Sequence, residues 1–159
     1  MKDWFKYEYG YVNIDENYVY VTNSGNWSET NDLKERSSSV VAKNSFRKLK
    51  NIIFLSVTFT LFFILFLNNF SGSDFSLLLL LGIPGAAYYL YQYMRSDLGS
   101  KFKIPINKIT DIKISDTSII ISFTDADGKA SKEMLKNPES KGKDLLVLLM
   151  TDNLFNNPE

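Results

Sequence analysis

The sequence predicts a membrane α+β fold, with a two-helix transmembrane hairpin inserted into a cytoplasmic antiparallel β-sheet, or partial barrel, that a C-terminal helix caps. Three observations predict it. Lys and Arg number 18 and Asp and Glu also number 18, yet Asp74 alone among them lies between residues 51 and 94. On both sides of that window are segments rich in Tyr, Val and Ile that alternate with a period of two. The last stretch, 140–155, repeats its leucines at helical spacing. With 159 residues, 45% apolar and 14% aromatic, the chain is large enough to bury one core.

Residues 4–22 place Tyr7, Tyr9 and Tyr11, then Tyr18 and Tyr20 against Val19 and Val21, in strand-like alternation. Asp15, Glu16 and Asn17 supply a hairpin turn, and Asn23, Ser24 and Gly25 a second turn before Trp27. From 31 to 50 the chain is polar, with Leu33, Val40, Phe46 and Leu49 dispersed, which predicts a linker or helix capped by Asn31 or Asp32. Beyond the apolar window, Ile104, Ile106, Ile112 and Ile114 share one face, and Ile109, out of phase, predicts a bend near Asn107. Ser118–Thr124 is the clearest strand. A turn at 125–128 returns the chain through 129–135. Asn137 and Pro138, or Ser140, open a final helix bearing Leu145, Leu148, Leu149 and Phe155.

Residues 52–67 are apolar except for Ser56, Thr58 and Thr60, whose hydroxyls can bond back to their own helix. That run is about 24 Å long as a helix, so spanning a hydrocarbon layer of about 30 Å also takes Asn51 and residues 68–70. Residues 75–94 form a second charge-free run, and 68–74 a polar turn between the two. The expected divisions are 1–50, strands and a linker helix; 51–94, a hairpin of helices 51–70 and 75–94; and 95–159, the remaining strands and capping helix of the same domain. Basic residues flank the hairpin and are missing from its turn, which predicts a multi-pass protein of the bacterial inner membrane with both termini cytoplasmic.

Lys43, Arg47, Lys48, Lys50, Arg95, Lys101 and Lys103 form the expected collar, setting topology, binding anionic lipid headgroups, or both. Tyr88, Tyr89, Tyr91 and Tyr93 are the expected interface anchors. Gly82, Pro84, Gly85 and Ala86 are the expected helix-packing residues. They serve contacts within the hairpin or, through Gly82 and Ala86, a homo-oligomer. Trp4, Tyr7, Tyr9 and Tyr11 are candidates for a partner-binding edge, although core packing of alternate residues accounts for half of them.

Zero His and zero Cys remove the usual proton shuttle, thiolate nucleophiles and the commonest metal ligands, so neither a metal nor a cofactor is expected. The zero net charge gives no reason to expect nucleic acid as a partner. Asp125, Asp127 and Gly128 resemble the opening of a calcium loop, but that spacing puts Phe123 and Met134 at ligand positions. They read as a turn.

The hairpin, the run Ile104-Pro105-Ile106-Asn107-Lys108-Ile109, the strand Ser118–Thr124, the Asp127-Gly128 turn and the leucines of 145–149 together carry a likeness. On them the chain resembles the bacterial pleckstrin-homology-like (PH-like) membrane proteins of the YcxB-like type, which combine a two-helix hairpin with a partly open sheet capped by one helix. The aromatic hairpin at 4–22 precedes the helices, so a domain of this kind would be split by them. The resemblance brings no catalytic residues. A non-enzymatic membrane protein is expected, with a protein- or lipid-binding surface and an accessory, regulatory or immunity-type role. Its expected partners are membrane lipids and a protein. The alternatives are a lipid-modifying or lipid-transferring protein, or a structural subunit of a larger membrane complex.

Overall fold

The computed structural model describes residues 2–68 and 77–156. In chain order the elements are β1 Asp3–Tyr7, β2 Gly10–Ile14, β3 Tyr18–Thr22, α1 Ser38–Asn68, α2 Leu77–Met94, β4 Phe102–Pro105, β5 Ile109–Ile114, β6 Ser118–Thr124, β7 Ala130–Lys136 and α3 Ser140–Asn156. Short 3-10 turns occupy Trp27–Asp32, Arg95–Leu98 and Ile106–Lys108.

The strands make two antiparallel sheets, β1-β2-β3-β4 and β5-β6-β7. The Asp15 carboxylate accepts hydrogen bonds from the N–H groups of Asn17 and Tyr18 at 2.9 and 2.8 Å, which closes the β2–β3 hairpin. At Gly10 an added Cβ would lie 2.3 Å from the Thr22 carbonyl oxygen, so no larger residue fits against β3 there. β3 then pairs with β4, Val19 opposite Ile104, and the chain before the helices shares a sheet with the chain after them. The turn at Ile106–Lys108 passes the chain from the first sheet to the second, and a bulge between Ile109 and Asp111 resets its phase.

Alternation puts one face of each sheet inward. Phe5, Val12, Val19 and Ile104 come from the first sheet, Ile119, Ile121 and Leu135 from the second, and Leu146 from α3, all fully buried in one core. β1 is an edge strand whose outer side is already occupied. Lys6 exchanges backbone and side-chain bonds with Glu139, and the Glu8 N–H donates to the Lys136 carbonyl. An edge sealed in this way is not available for strand addition.

The transmembrane hairpin expected at 51–70 and 75–94 is overturned. Among the described residues no helix is long and apolar enough to cross a membrane. α1 begins at Ser38, and its first turns carry Lys43, Asn44, Arg47, Lys48 and Lys50. The apolar run of α1, Ile52 to Leu67, is about 24 Å long, short of a hydrocarbon layer of about 30 Å. In α2, Pro84 and two glycines interrupt the leucine run, and Tyr and Gln close it. Among the described residues the fold is therefore α+β with two antiparallel sheets and no membrane-crossing helix. The membrane assignment, the multi-pass inner-membrane location with cytoplasmic termini, and the interface-anchor role of Tyr88, Tyr89, Tyr91 and Tyr93 fall with the expected hairpin. Of the expected connecting turn at 68–74, Asn68 is the last residue of α1 and the rest lies outside the described residues.

The start of α1 also differs from the expected cap at Asn31 or Asp32, which instead fall at the end of the Trp27–Asp32 turn. The helix begins at Ser38, whose N–H and hydroxyl donate to the Asp127 carboxylate at 2.7 and 2.6 Å. A carboxylate from the β6–β7 turn thus satisfies the first amide of the helix and meets the positive end of its dipole.

Candidate functional site

The segment leading into α1 is tied to both sheets. Lys103 of β4 donates to the Lys34 carbonyl and accepts from the Arg36 N–H, while the Arg36 carbonyl accepts from the Ala126 N–H in the β6–β7 turn. These bonds fix the Arg36 backbone where the two sheets approach each other. Its guanidinium lies 5.3 and 5.5 Å from the ring centres of Phe102 and Phe123. Nη1 donates to the Lys132 carbonyl at 2.7 Å and to the Glu133 carboxylate at 3.0 Å.

Glu133 occupies a core-facing position of β7, opposite Ile121 and two residues before the buried Leu135. Alternation calls for an apolar side chain there. Burial pushes the carboxyl above its ordinary value, while the positive charges of Arg36 and Lys48 pull it back.

The third wall comes from α1. Val41, Asn44, Ser45 and Lys48 stand at positions i, i+3, i+4 and i+7, so they share one helix face. Asn44 is buried and donates to the Lys101 carbonyl at 3.1 Å, and Lys48 donates to the Ser100 hydroxyl at 3.3 Å. Between this face, β4 and β7 lies a cleft of about 340 Å³ with Phe102 and Met134 on its apolar side. Its polar lining combines two cations, Arg36 and Lys48, with one carboxylate, Glu133, and the hydroxyls of Ser45 and Ser100. Among the described residues no three His, Cys, Asp or Glu side chains gather as a metal site.

The expected collar does not form one cluster. Lys48 lines the cleft, and Arg47 donates to the Gly99 carbonyl at 2.6 Å beside it. Lys101 is ion-paired with Glu29, and Lys103 stands 4.6 Å from the Tyr18 ring centre. Lys43 and Lys50 are exposed on α1, and Arg95 is half-buried at the start of its 3-10 turn. The four tyrosines end α2 as exposed side chains, and Tyr88 accepts from Gln92 at 3.0 Å. Gly82, Pro84, Gly85 and Ala86 lie within α2. At Gly85 an added Cβ would meet no described atom within 4 Å, which gives no sign of close packing there. In the aromatic group, Tyr7 is a core residue, Tyr9 and Tyr11 are half-buried, and Trp4 is the exposed member, in edge contact with Tyr11 at 5.7 Å.

Arg36 and Glu133 were missed by sequence reasoning. The available signal was the spacing of Glu133 and Leu135, which puts a carboxylate on the inward face of the return strand. It becomes visible only once the strand's register is known.

No family model, curated protein or solved structure matches the chain. Nothing found identifies a PH-like or YcxB-like family, and the site rests on its own chemistry.

Carboxylates with shifted values set the acid response of the fold. Three are held below the ordinary aspartate value of 3.8: Asp3 by Lys141, Asp125 by the Lys129 N–H and the Ser131 hydroxyl, and Asp127 by Ser38. For each, the unfolded chain takes up its proton first. The stabilisation is complete above about pH 4 and is lost as pH falls through the depressed folded values. Glu133 has the opposite sign, because its raised folded value favours a protonated fold. Its contribution is present below its ordinary 4.5 and is lost as pH rises through the folded value. Glu16 and Glu29 are depressed as well, so the depressed carboxylates outnumber the raised Glu133; the urea midpoint should fall below about pH 4, and Asp127→Asn should make that fall shallower. A midpoint unchanged down to pH 2 would contradict these assignments.

Proposed function

We propose that the chain is a non-enzymatic lipid-binding protein, an accessory or regulatory factor whose first helix is covered by acyl chains. The supporting observation is the apolar surface of α1 outside the cleft. Phe46 is 71% exposed and Phe54 59%, and Leu49, Ile52, Ile53, Val57, Phe59 and Leu61 are each at least half exposed. Ile52, Ile53 and Phe54 are consecutive, and successive helical positions lie about 100° apart, so the apolar surface wraps around the helix. A protein groove typically takes a single stripe at i, i+3, i+4 and i+7. Fluid chains can cover every face. Each large side chain so covered gains on the order of 1.5–3 kcal/mol relative to exposure in water, which makes an uncovered arm a strong driving force for association.

The test is native mass spectrometry of the full chain, purified first in plain buffer and then with a mild amphiphile. Retained lipid is expected, together with self-association in plain buffer that the amphiphile relieves. A monodisperse, lipid-free monomer in plain buffer that takes up no amphiphile would remove this reading.

A further inference from the structure

We infer that the cleft between α1, β4 and β7 seats a phosphate group, held by Arg36 and Lys48, with Glu133 as an internal counter-anion that the phosphate displaces. The volume of about 340 Å³ is at the small end of the usual range for ligand sites, roughly 300–1,000 Å³, and suits a headgroup rather than a whole lipid. Among the lining charges Arg36 and Lys48 face one carboxylate, which leaves one positive charge unbalanced in a half-buried space. Such a charge draws an anion.

The lining also selects the kind of anion. Arg36 offers a planar fork, Lys48 a point charge, and Ser45 and Ser100 hydroxyls, so donors approach from three sides. A carboxylate has two oxygens and Glu133 already provides one; a phosphate monoester has three terminal oxygens and up to two charges. Both side-chain bonds of Arg36 leave from Nη1, one to Glu133 and one to the Lys132 carbonyl. The Glu133 bond can therefore be exchanged for a phosphate oxygen while the carbonyl bond keeps the guanidinium in place. Ile52 lies one helical turn along α1 from Lys48, where the apolar arm begins. A phosphate in the cleft would direct an attached chain onto that arm, and to this extent the inference rests on the lipid-binding reading.

Calorimetric titration of the full chain with three probes separates the two ideas: inorganic phosphate, octyl phosphate and the uncharged octyl glucoside. Octyl phosphate should bind more tightly than inorganic phosphate. Lys48→Ala should weaken both by about tenfold, and Glu133→Gln should strengthen both several-fold, with octyl glucoside indifferent to either change. Lys48 is half-exposed on a helix, so its removal leaves the fold intact. If neither phosphate binds, or if both substitutions leave phosphate affinity unchanged, the assignment of the cleft is overturned. If phosphate binds as described but octyl glucoside does not bind and the octyl chain adds nothing, the cleft assignment stands, its occupant is a free phosphate ester, and the lipid-binding reading fails alone.

Discussion

Phe5→Ala should destabilise the fold by about 3–5 kcal/mol, the range for emptying a fully buried phenylalanine site. Phe5 lies opposite Val12 in β1 and is completely shielded from solvent. Its ring also fixes α3. A Cβ added at Gly142 would lie 2.3–2.7 Å from three atoms of the Phe5 ring, closer than real Cβ contacts come. Gly142 is a helical residue without a positive φ, so glycine is needed there for close approach and not for backbone freedom. A glycine inside a helix costs about 1 kcal/mol relative to alanine, and the ring contact offsets that cost. Gly142→Ala should therefore destabilise, by about 1–3 kcal/mol of overpacking, despite the better helix propensity. Phe5→Leu should partly rescue it by vacating ring atoms. Urea unfolding of the two single variants and the double variant tests this: additive losses would mean that the two residues do not share a contact. The expected m-values are unchanged, because the surface exposed on unfolding stays the same.

Local structure was legible because it is written in short patterns. Ser118–Thr124 alternates and is β6; the Asp15, Glu16 and Asn17 turn and the aspartates before Gly128 stand at hairpin ends. Ser140, one of the candidates for opening the last helix, begins α3. The hairpin expectation failed for a reason of the same kind. Counting uncharged residues identifies an apolar run, but it does not show that α1 starts at Ser38, so that the run is only the far part of a helix whose first turns are polar. The cleft was not legible because its parts are distant in sequence. Arg36 reaches Glu133 only after β3 pairs with β4 and the 125–128 turn comes up to the Arg36 backbone. Lys48 was singled out as one of seven basic residues, and nothing local distinguishes it from Lys43 or Lys50. It differs by sharing a helix face with the buried Asn44 and by lining the cleft.

Arg36→Ala should cost about 3 kcal/mol, and most of that loss should be recoverable without restoring any charge. Removing one partner of a buried ion pair leaves the other uncompensated, which costs about 3–5 kcal/mol. The lower figure applies because the two side chains keep 18% and 16% of their surface. The truncation also empties the space over Phe102 and Phe123. Glu133→Leu alone should cost less than that, about 1–2 kcal/mol, since Arg36 loses its carboxylate but keeps its bond to the Lys132 carbonyl, and the leucine continues the inward row of Ile121 and Leu135. The double variant Arg36→Met with Glu133→Leu should then approach the parent, because a packed apolar pair of similar volume commonly replaces a buried ion pair at no net cost. A double variant as unstable as Arg36→Ala would show that the loss comes from packing on the two rings and not from the stranded carboxylate. If the apolar pair does restore stability, the fold has no need of charge at this position. Phosphate binding is the separate readout: the same double variant should have lost its affinity for phosphate.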